Sequence, residues 1–360
     1  MIFSTLAYNL LMAAALAASL FALSRLKTAW AWMKACADVL LAAVALAFLV
    51  GAAAGESSFG VFRLLAYGFF LHGLLLLSGS AVLLRSARPK TAVLSAALTV
   101  LGVAIVVDAF WIEPTWLEVK HVEIASPKIT RPMRIVVLAD LQAEEIGRYE
   151  REVLQRLLAE KPDLILLAGD YLQPEASKFP EMCRELNALL RQIDFSAPAG
   201  VFAVEGNADP EGWEAMFAGL PITVVRSRQS FDLGQLRLTC LAKRDSFHPR
   251  LEIPDRGQGG EGDHQQFRIV LGHSPNFALG SVAADLLIAG HTHGGQVRIP
   301  FLGPPVTQSV LPGRFASGLL DLPGGRRLYV SRGIGMERNA APRMRFCCRP
   351  ELTVIELVPR

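Results

Sequence analysis

The first third of this chain consists of four long apolar stretches separated by short charged loops. The stretches cover residues 1–24, 39–55, 64–84 and 91–107, and the last continues past Asp108 to Trp111. Each approaches the roughly 20 residues that a helix needs to cross the hydrocarbon core of a bilayer. A buried helix of a soluble protein keeps a polar stripe, which the third stretch lacks. The pattern therefore predicts an all-α module of four transmembrane helices over residues 1–113.

The composition separates this module from the rest of the chain. With 52% hydrophobic and 19% charged residues, the chain is too apolar for an ordinary cytosolic enzyme and is not disordered. The net charge of +3 arises entirely within residues 1–113, because basic and acidic residues balance in the remainder. We therefore expect no nucleic-acid partner. The five cysteines fit neither a disulfide framework nor a paired zinc site, and Cys183 and Cys240 are predicted to lie in the core.

The loop charges predict an orientation in the cell inner or plasma membrane. The first loop carries Arg25, Lys27 and Lys34, the third carries Arg85, Arg88 and Lys90, and the second carries only Glu56 and Arg63. Because Lys and Arg near span ends stay cytoplasmic, both termini and the C-terminal domain are predicted to lie outside the cytoplasm. Trp111 and Trp116 fit an interfacial belt, and His72 is expected to form a hydrogen bond with a neighbouring helix.

From about residue 117 the pattern changes to short β-rich runs alternating with amphipathic segments. Helices are predicted over residues 149–160 and 180–192, between apolar runs that read as buried strands. This alternation is typical of an α/β domain, which places its site beyond the carboxyl ends of the strands. Five runs end in a potential metal ligand: Asp140, Asp170, Asn207, His273 and His291.

Carboxylates, an amide oxygen and imidazoles are the ligands expected for manganese, iron or zinc. A central carboxylate, that of Asp170, could bridge two ions. Two ions about 3.5–4 Å apart would polarise a phosphoryl oxygen and lower the pKa of a shared water. The series therefore predicts a dinuclear metal site.

Five short motifs resemble the blocks of the calcineurin-like metallophosphoesterases. They are Asp140-Leu141-Gln142, Gly169-Asp170, Gly206-Asn207-Ala208-Asp209, Gly272-His273 and Gly290-His291-Thr292-His293. The longer string GHTHGGQVRIP is similar to the membrane-associated bacterial branch that includes UDP-2,3-diacylglucosamine hydrolase-like proteins. The resemblance covers about residues 113–357. It implies that residues 114–360 form an α/β domain of two mixed β-sheets packed together and flanked by helices.

The resemblance also implies a metal-ligand set. One ion would be held by Asp140, Asp170 and His293, and the other by Asp170, Asn207, His273 and His291. Asp170 and Asn207 are the residues to which catalysis is assigned. Gln142 stands where the family has a histidine, so we expect a weaker first site and a preference for manganese or magnesium.

The second departure from the family pattern is Ala208. It replaces a histidine that would stabilise the transition state or protonate the leaving group, a loss that commonly costs ~10²–10⁴ in rate. Asp209, which would orient that histidine, is predicted only to cap a turn. A leaving group that needs little protonation, such as a diphosphate, could compensate for this loss, or Arg332, His248 or His264 could supply the proton instead. The last two lie in the Gly-rich stretch 246–264, which predicts a surface loop or a lid.

Three functions remain open from the sequence. The first is a phosphoesterase that acts on a phosphorylated lipid or nucleotide-lipid. A domain tethered to the bilayer meets lipid headgroups at high local concentration. The resemblance implies a diphosphate bond of a UDP-linked acylated glucosamine and thus lipid A biosynthesis, although that substrate is cytoplasmic. The alternatives are an attenuated metal-binding sensor and a structural membrane protein.

A basic cluster follows the last predicted strands. Its members are Arg332, Arg338, Arg343, Arg345 and Arg349. Such clusters usually form a solvated face, but the guanidinium fork also suits phosphate groups. Arg332, Arg343 and Arg345 are accordingly candidate substrate contacts.

Overall fold

The chain forms two compact units. The computed structural model describes residues 1–254, 266–338 and 340–360. One unit comprises Met1–Ile112 with Glu337–Arg343, and the other comprises Glu113–Met336 with Met344–Arg360.

The first unit is built from long apolar helices. They are α1 (Ile2–Leu26), α2 (Ala29–Ala53), α3 (Ser58–Tyr67), α4 (Leu74–Leu84) and α5 (Pro89–Val107), with π-helical turns at Gly68–Gly73 and Asp108–Ile112. The first π-helical turn joins α3 to α4. Four helical segments are thus long and apolar enough to cross a membrane: Ile2–Leu26, Ala29–Ala53, Ser58–Leu84 and Pro89–Thr115. The predicted set of four apolar helices is confirmed.

Small residues predominate on the inner face of α2. The buried positions of α2 recur every four residues: Ala31, Ala35, Val39, Ala43, Ala47 and Gly51. Such residues let helix backbones approach closely, while the larger apolar side chains point outward, as a lipid environment favours. His72 Nε2 lies 2.9 Å from Asn9 Oδ1 on α1, which confirms the expected hydrogen bond between helices.

The second unit combines strands with short helices. Its strands are β1 (Glu118–Ser126), β2 (Met133–Leu138), β3 (Leu164–Leu167), β4 (Val201–Val204), β5 (Thr223–Val225), β6 (Gln229–Leu233), β7 (Leu236–Cys240), β8 (Glu252–Ile253), β9 (Phe267–Leu271), β10 (Ser281–Val282), β11 (Leu286–Ala289), β12 (Gly318–Asp321), β13 (Arg327–Val330) and β14 (Glu351–Pro359). Its α-helices are α6 (Arg148–Ala159), α7 (Phe179–Gln192) and α8 (Lys243–Ser246). Short 3-10 turns lie at Glu113–Thr115, Ala176–Lys178, Trp213–Phe217, Pro275–Leu279, His293–Gly295, Gly313–Phe315 and Pro323–Gly325. The two predicted helices thus begin and end within one residue of α6 and α7.

Two six-stranded mixed sheets dominate this unit. The first has the order β1-β14-β2-β3-β4-β5, in which only the β14–β2 pair is antiparallel. The second has the order β12-β13-β11-β9-β7-β6, with antiparallel pairs at its two edges. The predicted α/β fold with mixed sheets is therefore confirmed.

Strand alternation explains how the sheets pack. Successive side chains of a strand point to opposite faces. In β2, Val136 and Leu138 join a core with α6 and α7, whereas Ile135 and Val137 join a second core shared with the other sheet. The first sheet therefore has helices on one face and the second sheet on the other.

Candidate metal centre

The five predicted strand-end ligands lie where parallel strands finish. β2, β3 and β4 are parallel neighbours in the first sheet, and β9 and β11 are parallel neighbours in the second. Because the carboxyl ends of parallel strands share one edge, the loops after them converge. The ligand candidates each follow within three residues of a strand end: Asp140, Asp170, Asn207, His273 and His291.

Backbone strain is concentrated at this site. In the described part of the chain, 12 non-glycine residues have a positive φ, and five of them are predicted metal ligands. These five are Asp140, Gln142, Asp170, His291 and His293. A left-handed conformation is costly for residues other than glycine and persists where surrounding contacts enforce it, which is common at functional sites. A side chain at Gly290 would come within 2.5 Å of Asp140 Oδ2, so glycine is required there.

His273 shows most directly that the site fits a cation. Its Nδ1 donates to the carbonyl of Ala168 at 2.8 Å, so the other ring nitrogen of the neutral imidazole carries a lone pair. That nitrogen, Nε2, lies 2.9 Å from Asn207 Oδ1 and 3.4 Å from Asp170 Oδ2. Electron pairs that converge in this way repel one another unless a cation lies among them. The donor set therefore fits a divalent metal.

Other buried donors extend the set. Ligand atoms of Asp170, His273 and His291 lie within 4.8 Å of one another, and all three side chains are buried. His293 is also buried, and neither of its ring nitrogens has a hydrogen-bond partner in the described residues. Buried polar atoms are nearly always satisfied, so an imidazole left this way is suited to coordinate a metal.

The charge states also suit coordination. Burial raises the pKa of Asp140, and the nearby Asp170 carboxylate adds to the effect. Burial raises the pKa of Asp170 to about 7, and it lowers the pKa of His273 to about 4 and that of His291 to about 3. The imidazoles are therefore neutral at pH 7, as metal ligands must be, and a bound cation would favour the ionised carboxylates.

Asp209 has a role that the sequence did not reveal. Its Oδ2 accepts hydrogen bonds from the backbone amides of Asp170 and Gly206, both at 2.8 Å, and its Oδ1 accepts from the amide of Tyr171 at 2.8 Å. Asp209 thus connects the loop after β3 to the loop after β4, which goes beyond the predicted turn cap. The sequence alone does not show whether Asp209 accepts hydrogen bonds from backbone amides or orients a neighbouring side chain.

The two departures from the family pattern lie against the same carboxylate. Gln142 is buried and its Nε2 donates to Asp170 Oδ2 at 3.3 Å. The backbone amide of Ala208 donates to Asp170 Oδ1 at 2.7 Å. The methyl side chain of Ala208 offers no proton. Asp170 therefore receives hydrogen bonds at both oxygens from the two positions where the family has histidines.

His291 is enclosed by residues that sequence reasoning missed. Its Nε2 donates to the carbonyl of Gln308 at 3.2 Å, which leaves Nδ1 as the ligand atom. The Phe247 ring packs edge-on against it with centroids 4.9 Å apart, and the His273 ring lies at 5.0 Å. These contacts fix the orientation of the imidazole.

The candidate substrate arginines differ in their surroundings. Arg332 pairs with Glu351 at 2.6 Å and with Glu118 at 2.9 Å. Arg345 is fully buried, and its guanidinium donates to the backbone carbonyls of Arg332, Gly333, Gly335 and Cys348. Arg343 is exposed and belongs to the first unit. Nε and Nη2 of Arg332 and all three guanidinium nitrogens of Arg345 thus have partners within the protein, and the substrate role of the three arginines stays a prediction.

The predicted loop over residues 246–264 is described only in part. His248 is exposed, and its Nδ1 accepts from the amide of Arg250 at 3.2 Å. His264 lies outside the described residues, as does the Gly-rich portion of the stretch. All five cysteines are free, and Cys183 and Cys240 are buried as predicted.

Carboxylates and neutral imidazoles converge at the strand ends of this two-sheet α/β domain. This arrangement is typical of metal-dependent hydrolases. The family model for the calcineurin-like phosphoesterases matches residues 133–295. Phosphodiesterase YaeI of Escherichia coli strain K12 is 31% identical over 68% of this chain and 90% of its own length. The chain belongs to the calcineurin-like phosphoesterase family and is a metal-dependent phosphoric ester hydrolase.

Two further relatives span most of their own length. An uncharacterized metallophosphoesterase of Bacillus subtilis, YkuE, is 29% identical over 69% of this chain and 88% of its own. The UDP-2,3-diacylglucosamine pyrophosphatase LpxG of Chlamydia trachomatis is 24% identical over 73% of this chain and 96% of its own. Calcineurin-like phosphoesterases use divalent metals, which agrees with the ligand cluster described above.

Proposed function

We propose that this chain is a membrane-anchored phosphoesterase with a dinuclear metal centre. Residues 1–113 would form the anchor and residues 114–360 the catalytic domain. The main support for the proposal is that Asp170, His273 and His291 converge in a domain of the calcineurin-like phosphoesterase family. The lone pair of His273 facing two side-chain oxygens supports a cation in the same place.

The two ions would share the Asp170 carboxylate. Asp140, Gln142 and His293 would complete one site, and Asn207, His273 and His291 the other. When bound, the ions would polarise a phosphoryl oxygen of the substrate and lower the pKa of a water. Asp209 holds the loops of Asp170 and Asn207 together, and Phe247 orients the imidazole of His291. Oxygen-rich ligands with an amide in place of one imidazole favour manganese.

The substrate in this proposal is a phosphorylated lipid or nucleotide-lipid. The similarity to a UDP-2,3-diacylglucosamine pyrophosphatase supports a lipid-linked diphosphate and a place in lipid A metabolism. A domain tethered to four apolar helices meets lipid headgroups at high effective concentration.

To test the function, the full chain should be purified in detergent and its metal content measured beside its turnover. We expect tightly bound divalent metal and hydrolysis of a phosphodiester or lipid diphosphate. A chelator should remove the activity and manganese should restore it, because the proposed activity depends on metal ions bound by these ligands. A panel of phosphomonoesters, phosphodiesters and lipid diphosphates would identify the substrate class.

A second function is favoured by Ala208, which offers no proton donor beside the metal ligands. An attenuated domain of this kind would bind phosphorylated ligands and act as a sensor. Tight metal binding without turnover on any member of the substrate panel would favour the sensor over the hydrolase.

The catalytic domain is proposed to lie outside the cytoplasm. The basic first and third loops support this orientation. Alkaline phosphatase fused after Arg360 should therefore be active, since it requires an oxidising compartment. A fusion to a cytoplasmic reporter at the same residue serves as the control, and activity of that reporter alone would contradict the orientation.

A further inference from the structure

The loop that follows the metal ligands His291 and His293 presents apolar side chains to solvent. We name residues 297–312 the apolar loop. In the described part of the second unit, eight large hydrophobic residues are exposed, and five of them fall in this loop. They are Ile299, Phe301, Leu302, Val306 and Val310. Exposed apolar groups concentrated in this way mark an interaction surface rather than the scattered exposure of an ordinary protein.

Phe301 lies at the tip of the loop in a costly conformation. The amide of Ile299 donates to the carbonyl of Gly303 at 2.9 Å, and the amide of Gly303 donates back at 2.9 Å, which closes a tight turn. Phe301 has a φ of 68° and is 106% exposed, and Leu302 is 81% exposed. A bulky residue with positive φ is strained, and the hydrogen bonds of the turn hold Phe301 in this conformation while its side chain is left in solvent.

The charge around the loop selects the kind of partner. Residues 294–318 contain no aspartate or glutamate but two arginines, Arg298 and Arg314. Arg314 is exposed and its guanidinium lies 5.0 Å from the centre of the Phe315 ring. Apolar side chains flanked by arginines are suited to the interface of a bilayer that contains anionic lipid.

The apolar helices of the first unit would keep the second unit close to such a bilayer. The fourth apolar helical segment ends at Thr115, and β1 begins at Glu118. The first strand of the second unit therefore begins two residues after the fourth apolar segment, and such a short connection raises the effective concentration of the membrane surface. Even a small apolar loop then suffices for docking, although it would be too weak as the sole anchor.

The loop is also fastened to the metal centre. His291 donates to the carbonyl of Gln308 in the loop at 3.2 Å, and the Thr292 hydroxyl donates to the carbonyl of Ala316, four residues past its end, at 2.6 Å. A surface that held the loop would thereby hold the loop of the metal ligands.

We propose that the apolar loop docks on the bilayer that holds the chain's own helices, with Phe301 and Leu302 inserted among the lipid headgroups and the exposed Arg314 facing anionic lipid. This interaction does not depend on which phosphoester the site hydrolyses.

Photo-crosslinking in nanodiscs tests the docking. Benzoylphenylalanine is introduced at Phe301 of the full chain, and at Leu279 as a control, since Leu279 is a 54% exposed apolar residue elsewhere in the same unit. We expect lipid adducts at position 301 in at least about tenfold greater yield than at position 279, the ratio that burial of one aromatic side chain supports. The yield should rise when phosphatidylglycerol replaces part of the phosphatidylcholine.

A charge variant provides the second measurement. With the crosslinker at Val310, the double variant Phe301→Asp, Leu302→Asp should lower the yield of lipid adducts about tenfold, while Leu279→Asp should leave it unchanged. Unchanged metal content shows that both variants are folded. Lipid adducts no more frequent at position 301 than at 279, or adducts formed with a second copy of the chain, would overturn the proposal. The proposal rests on the membrane anchor of the proposed function, but neither result involves turnover, so a failure of docking is distinguishable from a failure of the catalytic proposal.

Discussion

The Asp170→Asn variant should lose bound metal and more than about a hundredfold of its turnover. Asp170 is buried, lies 3.4 Å from His273 Nε2 and is the carboxylate that both proposed metal sites share. Asparagine keeps the shape of the side chain but removes the charge. Changes in residues that only support metal ligands already cost about 10–100-fold in affinity or activity, so loss of the shared ligand should cost more. Metal content by mass spectrometry and turnover on a soluble phosphodiester measure the two effects.

Asp163→Asn is the matched control for this experiment. Asp163 precedes β3, whereas Asp170 follows it, and its Oδ2 accepts the amide of Arg134 at 2.7 Å. The same chemical change at the opposite end of the strand should leave metal content and turnover within about twofold of the parent, as is usual for changes away from a site. Full turnover in Asp170→Asn would defeat the dinuclear proposal, and equal losses in both variants would indicate a folding defect.

The order of elements could be predicted from sequence because it depends on local pattern. α6 and α7 were predicted to within one residue, since their apolar spacing and flanking strands are local signals. The pairing of β1 with β14 was beyond such signals. Glu118 pairs with Glu351, more than two hundred residues away, and neither segment contains a local signal that identifies the strand with which it pairs. Long-range pairing is set by the assembled cores, not by the strands themselves.

That the candidate ligands would lie close together could be predicted for a geometric reason. Residues after parallel strands share an edge, so Asp140, Asp170 and Asn207 had to lie together once the strands were recognised. The role of Arg345 had no such basis. The sequence shows its charge but not the four backbone carbonyls that its guanidinium satisfies in the interior. In sequence, an arginine that stabilises a loop looks the same as one that binds phosphate. The two can be told apart only when the conformation of the loop is known.

Phe247 and Gln308 were missed for a related reason. One acts through its ring and the other through its backbone carbonyl, and neither is a residue type that signals metal chemistry. Their contribution is to orient His291, which depends on the paths of two loops in space. Such supporting residues become visible only when the ligands are already placed.

The Ala208→His variant should raise turnover by about 10²–10⁴ for a substrate with a poor leaving group, because a positioned acid commonly contributes that much. The backbone amide of Ala208 lies 2.7 Å from Asp170 Oδ1, so a side chain at this position starts beside the predicted metal ligands. The carboxylate of Asp209 already accepts three backbone amides and would not orient the introduced imidazole, which favours the lower end of the range. Turnover of an alkyl phosphodiester measures the gain.

The choice of leaving group makes this experiment decisive. A p-nitrophenyl ester departs without protonation, so Ala208→His should change its hydrolysis by no more than about threefold while the alkyl ester gains. Ala208→Gln, which adds similar bulk without an acid, controls for steric effects and should give no gain with either ester. Equal gains for both esters would show that the imidazole acts on metal binding or transition-state charge instead. No gain for the alkyl ester would mean that another group already donates the proton, and position 208 would then not be the cause of any attenuation.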